Sequence, residues 1–288
     1  MDAVFNGLLA GIAEGAAFGL VALGIVLVYK ATRVLNFAQG EIATLCLYIA
    51  WELTELSVPV FLAAAVALLL AAALGAATEL LLRPLASAPR LTVTVATLGI
   101  ATVLGSTQLL WFQTNGRALP AFLAGEAIQI GQISFKWTQV LALIVSIGLG
   151  LALFAFFKRT LFGLGVLAAA QDQTALRLQG VPFSQVSIFT WSSGAILTTL
   201  AGLILIPGIG PFFPFEMTRA FLIPSLAAAL VGGLTSLPGA FVGGLVIGIA
   251  KNLTVFNWQA SGAEFMTIFV VMVLVLLFRP QGLLGEEA

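Results

Sequence analysis

The chain has 288 residues, 60% of them hydrophobic and 8% charged, with twelve basic and twelve acidic side chains and a net charge of zero. Against the roughly 25% charged residues of an ordinary soluble domain, this excludes a soluble globule, and the charge balance carries no signature of nucleic-acid binding. There is no histidine, the usual proton shuttle near neutral pH and the commonest metal ligand, and the single cysteine, Cys46, cannot form an internal disulfide.

The apolar runs are long and do not alternate, which predicts an all-α polytopic membrane protein, a single transmembrane domain over residues 1–288. In lipid only helices and closed barrels satisfy every backbone group, and barrel strands alternate. About eight transmembrane helices are expected, within a range of seven to nine, some of them short, broken or re-entrant. The first, Phe5–Val28, carries one acid, Glu14. It has no basic n-region, so it reads as a span and not as a cleaved signal. Glu14 serves either a substrate pathway or a helix contact.

The second element, Asn36–Trp51, opens on a polar run, Asn36-Phe37-Ala38-Gln39-Gly40-Glu41. If it is helical throughout, Phe37 and Glu41 share one face and Asn36 and Gly40 the next. Polar side chains at membrane depth are costly unless they face protein or a watery path. The run therefore either hydrogen-bonds neighbouring helices or lines a substrate path, with Glu41 the leading pathway candidate. The third element is Val58–Leu82, where Glu79 stands four residues before Arg83 in i,i+4 pairing distance. The fourth is Leu91–Phe112. A polar outer loop, Gln113–Trp137, carries the turn signal Asn115-Gly116-Arg117. The fifth is Thr138–Phe157.

A polar stretch from about 158 to 185 follows, with a short helix-forming segment that Gly180 and Pro182 terminate. It suits docking on a partner protein. The sixth span is Val186–Ile206, and Ser192-Ser193-Gly194 within it reads as close packing. Pro207–Arg219, with three prolines, reads as a rigid cap. Two short Gly/Pro-rich elements come next, Phe221–Leu234 and Gly239–Val255, which either cross or form a re-entrant hairpin. Gly243, Gly244 and Gly248 permit close helix approach, and Lys251 is expected to snorkel to the outer interface. The last element is Gly262–Phe278.

Eight basic residues (Lys30, Arg33, Arg83, Arg90, Lys158, Arg159, Arg177, Arg279) fall on one side of this map and four on the other. The bias places the first side in the cytoplasm, the N-terminus outside and the C-terminus inside. Broken helices in opposite halves of the chain, here the polar run and the Phe221–Val255 region, point to a transport site near the midplane.

Several stretches in a fixed order resemble the permease subunit of branched-chain amino acid ABC importers. They are Ala22-Leu23-Gly24 through Tyr29, the polar run 36–41, Glu79 with Arg83-Pro84-Leu85, Thr97-Leu98-Gly99, and Gly163 with Ala170-Gln171-Asp172. Leu178-Gln179-Gly180-Val181 and Phe278-Arg279-Pro280-Gln281-Gly282 complete the series. Gln39 stands where the family often has histidine, and Glu14 where a small polar residue is expected.

The resemblance implies an importer subunit of the bacterial cytoplasmic (inner) membrane. Its partners would be a second, related permease, two cytoplasmic ATPases that hold the ATP and Mg, and an external solute-binding protein. Glu14, Asn36, Gln39, Glu41 and Thr97 become the candidate translocation path. Gly163, Asp172, Arg177 and Gly180 become the candidate coupling residues. No Gly-Lys pair occurs, so ATP hydrolysis is assigned to another chain and no catalytic or metal site to this one. Urea or a short amide is the competing cargo. A standalone ion-coupled transporter is the competing mechanism, and no protease-type or esterase-type motif supports an intramembrane enzyme.

Overall fold

In the computed structural model, residues 2–123, 125–130, 133–160, 163–166, 182–258 and 262–285 are described. Among them the helices are α1 (Asp2–Thr32), α2 (Ala38–Glu55), α3 (Val60–Leu82), α4 (Arg90–Phe112) and α5 (Trp137–Arg159). After the helical residues 163–166 come α6 (Phe183–Ile209), α7 (Ile223–Gly232), α8 (Leu237–Asn257) and α9 (Ala263–Phe278). A π-helical turn, Met217–Leu222, runs directly into α7. Six helices, α1, α3, α4, α5, α6 and α8, are long and apolar enough to cross a membrane, and residues 217–232 and α9 form two shorter apolar helices.

The chain is thus an all-α polytopic membrane protein. Its breaks follow from local chemistry. Pro84 turns the end of α3 into a single 3-10 turn, and Pro89 precedes α4. Ser236 caps α8, its hydroxyl oxygen accepting from the Gly239 N–H at 3.1 Å, with Pro238 in the first turn. Gly233, at φ +105°, ends α7.

α1 is the central helix. Its residues from Ala13 to Val28 are almost all buried, and it packs on α5, α6, α7 and α8. The outward faces of α3, α4, α5 and α9 carry large exposed apolar side chains such as Phe61, Leu110, Ile144 and Leu277, the surface a helix presents to hydrocarbon.

The α1–α8 contact is made by backbone. Gly11, Gly15 and Gly19, one turn apart on α1, lie on Ile249, Gly244 and Phe241 of the antiparallel α8. A Cβ on Gly244 would overlap the Gly19 backbone and lie 2.7 Å from the Gly15 carbonyl oxygen; one on Gly248 would overlap Gly15. With no hydrophobic drive between helices in lipid, such close approach supplies the dispersion contacts that hold them. Gly24 meets Gly194 of α6 in the same way, and Gly75 of α3 meets Trp191 and Ser192, whose hydroxyl donates to the Ala72 carbonyl at 2.9 Å. The packing reading of Ser192-Ser193-Gly194 stands.

Several expectations change. α2 begins at Ala38, so Asn36 and Phe37 precede the helix. α6 continues through Pro207 to Ile209, because a proline two residues from a helix end disturbs only the final turn. α8 is 21 residues long and not a short element. The outer loop contains an antiparallel hairpin, β1 (Glu126–Ile130) with β2 (Ile133–Lys136). Arg117 exchanges backbone hydrogen bonds with Phe212 at 3.0 and 2.9 Å, tying that loop to the segment after α6. At the other end of the chain the Arg279–Leu284 segment folds back on α7: the Leu283 and Leu284 N–H groups donate to the Val231 and Gly232 carbonyls at 2.8 and 3.1 Å.

Candidate functional site

The polar run sits where α2, α4, α6 and the π turn meet. Asn36 precedes the helix, and its Oδ1 accepts from the Ala38 N–H at 3.0 Å, an Asx turn that steers the chain into α2. Thr97 of α4 clasps the same entry. Its Oγ1 accepts from the Phe37 N–H at 3.1 Å and donates to the Thr94 carbonyl at 2.7 Å, with the Leu35 carbonyl at 3.2 Å as the alternative acceptor.

Gln39 and Glu41 point into the interior and are fully buried. Gln39 lies against Gly194 of α6, whose added Cβ would stand 3.1 Å from the Gln39 amide oxygen. One Glu41 carboxylate oxygen accepts from the Thr218 hydroxyl at 2.5 Å, joining α2 to the π turn. The Glu41 main-chain carbonyl accepts from the Gln108 Nε2 of α4 at 2.9 Å. One turn on, the Thr44 hydroxyl donates to Gly40 and accepts from the Met217 N–H at 3.2 Å. Gly40 is required there, because a side chain would strike Thr218. Farther along α2, Tyr48 stacks on Phe112, centroids 4.1 Å apart and planes 5° apart, and Trp51 lies beneath the Arg117 guanidinium at 4.3 Å.

Among the described residues, several polar atoms along this seam have no protein hydrogen-bond partner: both amide atoms of Gln39, the Asn36 Nδ2, the second Glu41 oxygen, the Gln108 Oε1 and the Tyr48 hydroxyl. Each buried unpaired group costs about 1–3 kcal/mol. Such a cluster in one place leaves hydrogen-bonding capacity that water or a polar solute can take up.

Glu14 is not part of this seam. It pairs with Lys251 of α8, and its second oxygen accepts from the Asn252 Nδ2 at 2.5 Å. The expectation that Lys251 snorkels outward is therefore corrected. Its ammonium lies 5.3 Å from the Phe18 ring centroid and stays with the buried acid. A cavity of about 190 Å³ opens beside this pair, shared with Glu216 and Arg219, themselves bonded at 3.0 Å, and with Phe221. The π turn borders both places: Thr218 holds Glu41, while Arg219 and Phe221 line the Glu14 cavity. π turns inside helices occur frequently at functional sites.

Glu79 and Arg83 form the expected i,i+4 pair at 2.8 Å. Gly163 lies directly after α5, its N–H donating to the Thr160 hydroxyl at 3.0 Å, where a Cβ would meet the Phe156 carbonyl and Phe157. The other coupling candidates, Asp172, Arg177 and Gly180, lie outside the described residues. Sequence reasoning missed Thr218 and Gln108. A lone amide in an apolar span was the available signal for Gln108; Thr218 had none.

The profile of the family described as "Branched-chain amino acid transport system / permease component" matches residues 7–278. The high-affinity branched-chain amino acid transport system permease protein BraD of Pseudomonas aeruginosa is 29% identical, over 96% of this chain and 94% of its own. The protein of the same description named LivH in Escherichia coli is 28% identical, again over 96% and 94%. The probable branched-chain amino acid transport permease protein LivH of Methanocaldococcus jannaschii is 29% identical over 93% of this chain and 88% of its own.

Proposed function

This chain belongs to the branched-chain amino acid transport permease family, and from that premise we propose that it is the membrane subunit of an ATP-driven ABC importer. Its cargo is a branched-chain or other hydrophobic amino acid. It pairs with a second permease and two cytoplasmic ATPases, which bind ATP and Mg, and receives cargo from an external solute-binding protein. The observation that carries this reading is the family match across nearly the whole chain, supported by relatives aligned over most of their own length. The buried, incompletely paired polar seam at Gln39 and Glu41 supports a path or gate there. The absence of any Gly-Lys pair supports ATP hydrolysis in another chain.

Three geometric features support a mechanism. Docking of the ATPases on residues 158–185 would act on α5, which ends at Arg159, and on α6, which begins at Phe183. α6 carries Gly194 against Gln39, so its displacement changes the confinement of the seam. α2 and the π turn are joined through Glu41–Thr218 and Thr44–Met217 and move as one gate.

The test is uptake of labelled leucine by the full complex in proteoliposomes. ATP-dependent leucine uptake is expected, with urea and acetamide excluded. Gly180→Trp is expected to keep the membrane fold and lose at least 90% of uptake, with weakened pull-down of the ATPases. Unchanged pull-down together with full uptake removes the coupling assignment.

The orientation proposed from the basic residues is N-terminus outside and C-terminus inside. In a Cys46→Ser background, cysteines placed at Ala3 and Ala288 are expected to label from opposite sides. Labelling of both from one side would require an even number of crossings.

A further inference from the structure

We propose that the cavity between α1, α8 and the π turn is a binding station for the zwitterionic head of an amino acid, an inference that rests on the importer reading. The cavity holds about 190 Å³, below the roughly 300–1,000 Å³ of drug-sized sites, and so takes only a small solute. Five of its lining side chains are charged, three acids and two bases: Glu14, Glu216 and Glu264, Lys251 and Arg219. Phe221 and Phe265 add apolar wall.

The charges come from α1, α8, α9 and the segment 216–219, and Arg219 is the one most open to water. The side chains of Glu14, Lys251 and Glu216 are 15%, 19% and 11% exposed, whereas Arg219 is 63% exposed. Glu14 is doubly held, by Lys251 and Asn252, and is the fixed part of the site. Glu216, just before the π turn, and Arg219 within it are three residues apart, joined by one hydrogen bond that brings no second helix into the pair. A structural ion pair needs no cavity beside it. Two pairs of opposed sign, with the further acid Glu264, around one small cavity offer a partner to both an α-ammonium and an α-carboxylate. A neutral amide or urea carries no charge to exchange for the Glu216–Arg219 bond, so the site favours the zwitterion within the range of solutes the fold could carry.

In the bound arrangement the ammonium faces Glu216, the carboxylate faces Arg219, and the branched side chain lies on Phe221. Arg219 supplies a planar two-donor fork that matches a carboxylate. The solute exchanges the Glu216–Arg219 bond for two of its own.

The test uses the permease–ATPase complex without the solute-binding protein, so that cargo affinity belongs to the membrane part. Leucine, leucinamide and isoamylamine are titrated at millimolar concentration by calorimetry. Wild type is expected to bind leucine at least tenfold tighter than leucinamide, which lacks the carboxylate charge. Arg219→Gln is expected to weaken leucine at least tenfold and abolish that preference, with Arg219→Lys restoring part of both. Glu216→Gln is expected to weaken leucine and isoamylamine alike. Glu216 and Arg219 are chosen because their pair bridges no helices, and monodispersity on size exclusion verifies the fold. Leucine affinity and preference unchanged in both glutamine variants overturn the site, even with wild-type uptake intact. Failure of the importer reading appears separately, as a wild-type complex that takes up no amino acid, and removes the site with it.

Discussion

Gly244→Leu is expected to abolish the folded protein. The α1 and α8 backbones are in contact at this residue, and even one added carbon overlaps Gly19. A leucine forces the helices apart along the whole stripe of Gly11, Gly15 and Gly19. It also separates Glu14 from Lys251 and Asn252. Overpacking one filled contact costs about 1–3 kcal/mol, occasionally more; felt at each glycine of the stripe, and with the partly buried Glu14–Lys251 pair pulled apart as well, the cost approaches the 5–15 kcal/mol stability of a typical protein. Fluorescence-detected size exclusion should show aggregate or no peak for Gly244→Leu and for Gly248→Leu. Gly148→Leu, where an added Cβ meets nothing within 4 Å, should run as wild type. A normal, monodisperse Gly244→Leu would mean that the α1–α8 seam is not the spine of the fold.

Glu41→Gln separates a gate from a girder. The glutamine carbonyl can still accept from Thr218, and the main-chain bond from Gln108 is untouched, so the fold is expected to persist. What disappears is the ionisable oxygen that has no protein partner. If that oxygen meets the cargo ammonium or a moving gate, the initial uptake rate in the full complex falls at least tenfold, about 1.4 kcal/mol of transition-state stabilisation. ATPase pull-down and thermal stability remain at wild-type values. Uptake within about twofold of wild type would return Glu41 to helix-to-helix hydrogen bonding. Thr218→Val is the complement: it strips the carboxylate of its side-chain donor and should lower stability by about 1.5–3 kcal/mol.

The helices were legible because long apolar runs leave few alternatives in lipid, and their ends lie within a few residues of the sequence reading. Glu79–Arg83 was legible because i,i+4 pairing is local. Gly243, Gly244 and Gly248 stood out as small residues in an apolar helix. The matching stripe on α1, also four apart, was overlooked, although the same spacing argument would have found it. Lys251 was misread because its distance from a helix end is visible in sequence, while a partner on another helix is not. The hairpin was passed over as polar loop, although Ile128-Gln129-Ile130 and Ile133-Ser134-Phe135 alternate with the period of a strand. In the polar run, sequence located the costly groups correctly. It could not divide them into those that shape the entry to α2, Asn36 and Thr97, and those that face the interior, Gln39 and Glu41. That division depends on where the helix starts, and Ala38 instead of Asn36 decides it.

The closure of α1 on α8 also sets the order in which the molecule can be made. Glu14 and Lys251 are 237 positions apart. At roughly 5–20 residues per second of synthesis, about 10–50 s pass between their appearances. Through that interval the first helix holds an acid and a bare glycine surface with no counterpart. An acid in mid-membrane costs roughly 2.5–3.5 kcal/mol, so nascent α1 resides in the bilayer on borrowed terms until the penultimate helix arrives. A ribosome that stalls before residue 237 leaves behind a chain whose first span carries an acid without its Lys251 partner. Quality control that senses polar groups in lipid can therefore tell an unfinished copy from a finished one by its beginning.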